Sequence, residues 1–106
     1  MPKYLIEANY TTEGVKGLMR DKASGRKAAV TSAVAALGGK VESLYYTFGK
    51  NDVIVIFDVP DNVSAAALSL AVTATGLVRT RTTPLLTVEE TDQAVQKSVK
   101  YRGPGQ

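Results

Sequence analysis

From Asn62 to Val78 the chain reads NVSAAALSLAVTATGLV, without one charged residue. A helix on the surface of a soluble domain normally turns a polar back to water. This one has almost none. On a wheel at ~100° per residue, Val63, Ala67, Leu70 and Ala74 fall on one side. Leu68 and Val72 fall nearly opposite, with Ala65, and Ser69 and Thr73 form a narrow polar seam. One apolar side can cover a sheet. The other has no partner within the chain, which makes Leu68 and Val72 candidate contacts to a second copy.

The flanking segments say what that helix sits among. KYLIEANY (3–10) is aromatic and β-branched at intervals and predicts a strand. Thr11 or Thr12 then caps a helix with Glu13 in its first turn, where the dipole favours an acid. Gly38 and Gly39 end that helix with a left-handed cap. Residues 40–48 and 52–59 predict two strands joined through Gly49-Lys50-Asn51. Pro60-Asp61 starts the charge-free helix. Residues 78–86 predict a fourth strand, placed at an edge by Pro84. Thr87 and Glu90 form a capping box for a short helix ending near Lys97.

The order is β-α-β-β-α-β plus a terminal helix, the split βαβ pattern. Right-handed crossovers give an α+β, ferredoxin-like fold: a four-stranded antiparallel sheet ordered 4-1-3-2, with two helices on one face. At 106 residues the chain is one domain, taken as 1–97, with a loose tail over 98–106.

The third strand repeats the problem of the second helix. Val53, Val55, Phe57 and Val59 alternate with Ile54, Ile56 and Asp58, so both faces are apolar. Such a pattern belongs to a strand covered on both sides. The topology supplies helices to one side only. A second subunit is the simplest cover for the other, with the terminal helix or tail folding back over it as the alternative, because a large bare apolar patch is uncommon on a soluble monomer. Self-association as a homodimer or higher homo-oligomer is therefore the expected habit.

The same face gathers the residues with chemistry. Matching phases put Glu7 and Asn9 on the first strand, Ile54, Ile56 and Asp58 on the third, and Arg79 and Arg81 on the fourth. Arg forks there can clamp a small anionic or aromatic metabolite, with Glu7 or Asp58 as a base. The alternative is cross-strand ion pairing at a subunit interface. Lys22 and Arg26 fall on the first helix's apolar stripe, but a break at Ser24-Gly25 would turn both to water. Tyr45, Tyr46 and Phe48 serve both faces of one strand, as packing or as hydroxyl donors.

Composition removes other classes. With no Cys and no His there is no disulfide framework, thiol nucleophile, Cys/His metal site or imidazole base. No Asp/Glu spacing suggests a metal site and no motif calls for a cofactor. A net charge of +3 is too small and too scattered for a nucleic-acid stripe. MPKYLIEANY lacks the apolar core of a secretory signal, and no apolar run is long enough for a membrane span. Cytoplasm is the expected compartment.

Four stretches, MPKYLIEANYT, LGGKVESLYYTFG, DVIVIFDVPDNVSAAALSLAV and VRTRTTPLLTVEE, together resemble the GYD-domain family of small bacterial proteins. The family is named for a Gly-Tyr-Asp signature at the second hairpin. Gly49 and Asp52 match it, and Asn51 stands where the family usually has Tyr. The resemblance implies a ferredoxin-like fold of the dimeric α+β barrel type, with the sheets of two subunits packed face to face. A cofactor-independent isomerase or oxygenase is the enzymatic expectation for that barrel type.

Overall fold

The computed structural model describes residues 1–106. The elements are β1 (Lys3–Tyr10), α1 (Thr12–Ala36), β2 (Lys40–Tyr46), β3 (Val53–Asp58), α2 (Asn62–Ala74), β4 (Val78–Leu85) and α3 (Val88–Gln96). The strands form one antiparallel sheet in the order β2-β3-β1-β4. This is the expected ferredoxin-like order, read from its other edge. Pro84 lies in the edge strand β4.

Alternation along β1 and β3 builds the core. Tyr4, Ile6 and Ala8 on one, and Val53, Val55 and Phe57 on the other, are buried beneath the helices with Val34, Val59, Ala65 and Leu68. Tyr4 and Phe57 stack with ring centroids 5.7 Å apart. The strand-end and cap chemistry is as the sequence predicts. Thr11 accepts a hydrogen bond from Gly14 N–H, Asp61 from Ser64 N–H at 2.8 Å, and Thr87 and Glu90 close a reciprocal capping box.

Two expectations about the helices are corrected. The first concerns α2. Ala65 and Leu68 are buried against the sheet and Val72 packs on the same core, so Leu68 and Val72 are not outward contacts. The outward side carries Val63 and Leu70, 78% and 70% exposed. The polar seam fits this rotation. Ser69 and Thr73 hydroxyls meet Thr80 Oγ1 on β4 at 3.0 and 3.2 Å. The Tyr4 hydroxyl donates to Asn62 Oδ1 at 2.6 Å at the helix start. A wheel shows which residues share a side, not which side finds partners.

The second concerns α1, which breaks at Lys22 (φ 63°, ψ 166°) and not at Ser24-Gly25. Gly14 and Val34 are its only buried residues. In an unbroken helix, twenty residues at ~100° each would set these two about 200° apart, on opposite sides. The break lets both face inward. Gly14 sits where a side chain would strike the Leu77 carbonyl, and Val34 enters the core. The phase reset also keeps Arg26 half-buried over the sheet, where water had been expected, while Lys22 is exposed.

Lys22 occupies a backbone region that is essentially glycine's own, at a strain of about 1–3 kcal/mol. Lys22→Gly is therefore expected to raise stability by about 1 kcal/mol, after the entropic cost of glycine. An upward shift in the urea midpoint with unchanged slope checks it.

The chain is more open than its mass requires. Its radius of gyration is 16.7 Å, against about 13 Å for a compact chain of this length. Its accessible surface is 7529 Å², against about 5,700 Å² for a globular protein of this mass. No helix is long and apolar enough to cross a membrane.

Candidate functional site

The helix-free face carries what the strand phases predict, but not as one cluster. Lys3 stands opposite Asp58, and Glu7 opposite both Ile54 and Arg81. Four residues of strand separate Lys3 from Glu7, about 13 Å. At one end, Lys3 Nζ donates to Asp58 Oδ1 at 3.0 Å and lies 3.4 Å from Glu42 Oε1. The hydrogen bond to Asp58 holds the Lys3 ammonium above its usual pKa. Asp58 is thus tied into cross-strand pairing and stands apart from the arginines, which removes it as a partner of Glu7 in acid–base work.

At the other end, Asn51 joins two strands. Its Nδ2 donates to Glu7 Oε2 at 2.9 Å, and its Oδ1 accepts from the Arg81 guanidinium at 2.9 Å. Asn9 Nδ2 donates to the Lys50 carbonyl. Glu7, Asn9, Arg79, Thr80 and Arg81 line an open concavity of about 400 Å³. Leu5, Ile54 and Ile56 fill the middle of the face and are half-exposed, with Tyr45 open beside Ile54. No group of three or more acidic side chains comes together to hold a metal ion.

The hairpin residues have a local structural task. Asp52 Oδ2 accepts from Tyr10 N–H at 2.8 Å, Asp52 N–H donates to the Ala8 carbonyl, and Thr47 N–H donates to the Asp52 carbonyl. Thr47 Oγ1 also bonds the Asn51 carbonyl. Asp52 therefore ties the hairpin to the end of β1. Gly49 is exposed, with free space around it.

A second site lies on the helix side. α2 lies along β4 and α1 leans toward β2, which leaves a cleft over the middle of the sheet. Two adjoining spaces of about 290 and 130 Å³ share Tyr10, Arg26, Ala33, Leu68, Val72 and Val78 as walls. The inner space is almost wholly apolar, floored by Ile6, Ala8, Val53 and Val55. Its polar groups are few. Arg26 Nη1 reaches Asp21 Oδ2 at only 3.5 Å, and the Tyr46 hydroxyl donates to the Ala23 carbonyl at 3.4 Å. Arg26 was legible as a residue on the apolar stripe; Tyr10 had no sequence signal beyond its strand.

Burial pushes the Tyr46 phenol up to about 12, with the Tyr10 hydroxyl beside it adding to the shift. The unfolded chain loses this proton near the ordinary value of about 10. The folded chain keeps it longer, so this contribution to stability is full below pH 10 and declines as pH rises toward 12. One of the five tyrosines is expected to ionise last in an ultraviolet titration. Tyr46→Phe should remove that late step.

A helix-backed antiparallel sheet, bare on its other side and with an apolar cleft beneath the helices, defines a protein of the ferredoxin-like α+β class. No curated protein matches the sequence. The GYD domain matches residues 4–95, most of the chain, and the chain belongs to the GYD-domain family.

Proposed function

We propose that the protein is a homo-oligomeric binding module, in which two copies meet across their helix-free sheet faces and each cleft takes a small aromatic anion. The observation that carries the reading is the division of the sheet. One side closes over an apolar cleft with a guanidinium and two phenols at its walls. The other leaves Leu5, Ile54 and Ile56 only partly covered within the chain. Ligand sites are mostly apolar concavities with a few placed polar groups. Arg26 supplies the fork for a carboxylate, and the phenols supply neutral donors. The surplus of about 1,800 Å² over a globular chain exceeds the ~800 Å² that each partner buries in a standard interface.

Sedimentation at micromolar concentration is expected to give twice the chain mass of 11.3 kDa. Ile54→Lys with Ile56→Lys should yield monomer. Calorimetric titration with 2-naphthoate should show saturable binding, weakened about tenfold or more in Arg26→Gln, since a hydrogen bond to a charged group contributes about 1.5–3 kcal/mol. A wild-type monomer, or binding indifferent to Arg26, contradicts the reading.

A cofactor-independent enzyme is the second reading, favoured by the concavity in which Glu7 lies between Asn51 and the arginines. It expects inorganic phosphate to shift the Arg79 and Arg81 side-chain resonances with saturation. Resonances that do not respond count against it.

A further inference from the structure

α3 has nothing to lean on. It is nine residues long and none of them is buried, although isolated helices shorter than about 12–15 residues are marginal in water. Its capping box organises the first turn only. Around it Leu86, Val88, Val95, Val99 and Tyr101 are all at least 65% exposed. Val88 and Val95 lie seven residues apart, on one side of the helix. Asp92 flanks that apolar stripe and Glu89 stands next to Asp92 on the same flank at ~100° per residue.

Neither Glu89 nor Asp92 takes part in an ion pair, and neither do Arg79 and Arg81. The two arginines are exposed on the helix-free face, on edge strand β4. The arm cannot readily serve its own arginines. It leaves from the opposite end of β4, six residues and about 20 Å from Arg79 and four residues and about 13 Å from Arg81, and no residue of α3 is buried against them. Only Leu86 and Thr87 link strand to helix. A two-fold axis perpendicular to the strands would run the partner's β4 antiparallel to this one and bring its arm to the Arg79 end.

We propose that the C-terminal arm of each copy docks along the β4 margin of a second copy, with Val88 and Val95 on the sheet and Glu89 and Asp92 against Arg79 and Arg81. This rests on the self-association read above and specifies which segment crosses. The surplus surface accommodates it, because the arm contributes apolar area that a single copy has no means of covering. The arginine pair is then a receptor for carboxylates of the same chain in trans.

Charge reversal in the full-length chain tests this. Arg79→Glu with Arg81→Glu, and separately Glu89→Lys with Asp92→Lys, are each expected to raise the dimer dissociation constant tenfold or more. All four changes in one chain should bring it back to within about threefold of wild type. All four side chains are exposed, so far-ultraviolet circular dichroism should show every variant folded, while melting temperatures follow the dimer equilibrium because association couples to stability. A second route uses the absence of native Cys. Val95→Cys and Thr83→Cys chains, mixed and oxidised, should give a mixed disulfide dimer. A wild-type monomer overturns both this inference and the self-association reading. A dimer indifferent to both reversals, unrescued by the fourfold change, or without the mixed disulfide, overturns only the arm.

Discussion

Phe57→Ala is expected to cost about 3–5 kcal/mol, the range for removing a fully buried aromatic ring. Phe57 is 0% exposed near the end of β3, flanked across the sheet by Tyr4 on β1 and Val41 on β2. Its loss removes both the buried area and the stacked contact with Tyr4, whose centroid is 5.7 Å away. The site has little capacity to collapse, because both neighbouring strands are held by the ladder. Natural domains have only about 5–15 kcal/mol of net stability, so the variant should unfold at a much lower urea concentration. Phe57→Leu fills more of the space and should lose clearly less. Both must be compared at one protein concentration, since association couples to stability.

Gly39→Ala is expected to cost about 3 kcal/mol, the upper end of overpacking. Gly39 is the turn between α1 and β2, and its N–H donates to the Val34 carbonyl at 2.9 Å. A methyl group there would strike the Asp58 carbonyl and crowd the Val59 and Val34 side chains. The first obstacle is backbone in a sheet strand, which cannot swing aside as a side-chain tip can. Val34 and Val59 are also fully buried, so the disturbance enters the core. Gly49→Ala is the control: it meets open space and should leave the urea midpoint within about 0.5 kcal/mol of wild type.

The helix-free face shows how far strand periodicity reaches. Period two places Glu7, Asn9, Ile54, Ile56, Arg79 and Arg81 on one side, because alternate side chains of a strand must share a face. It does not say how far along the strand two residues meet. Register separates Asp58 from Glu7 and hands it to Lys3. Asn51 shows the same limit in a turn. Its position in the hairpin was legible, whereas its bridge between Glu7 and Arg81 depends on β1 and β4 arriving together from distant parts of the chain.

Helix phase has its own limit. The charge-free stretch from Asn62 marked α2 as apolar on two sides with a narrow polar seam of Ser69 and Thr73. The side that meets the sheet buries Ala65 and Leu68 and brings both Ser69 and Thr73 to Thr80. In α1 the break falls at Lys22, between Gly14 and Val34, and lets both reach the sheet side. The same reset carried Arg26 to the cleft.

Element order, caps, the ferredoxin-like sheet and the membership of each strand face were local or periodic properties, and the sequence determined them by itself. Register, helix rotation and the cleft were decided only in three dimensions. They depend on which distant groups find hydrogen-bond partners and room, and no stretch of chain carries that information alone.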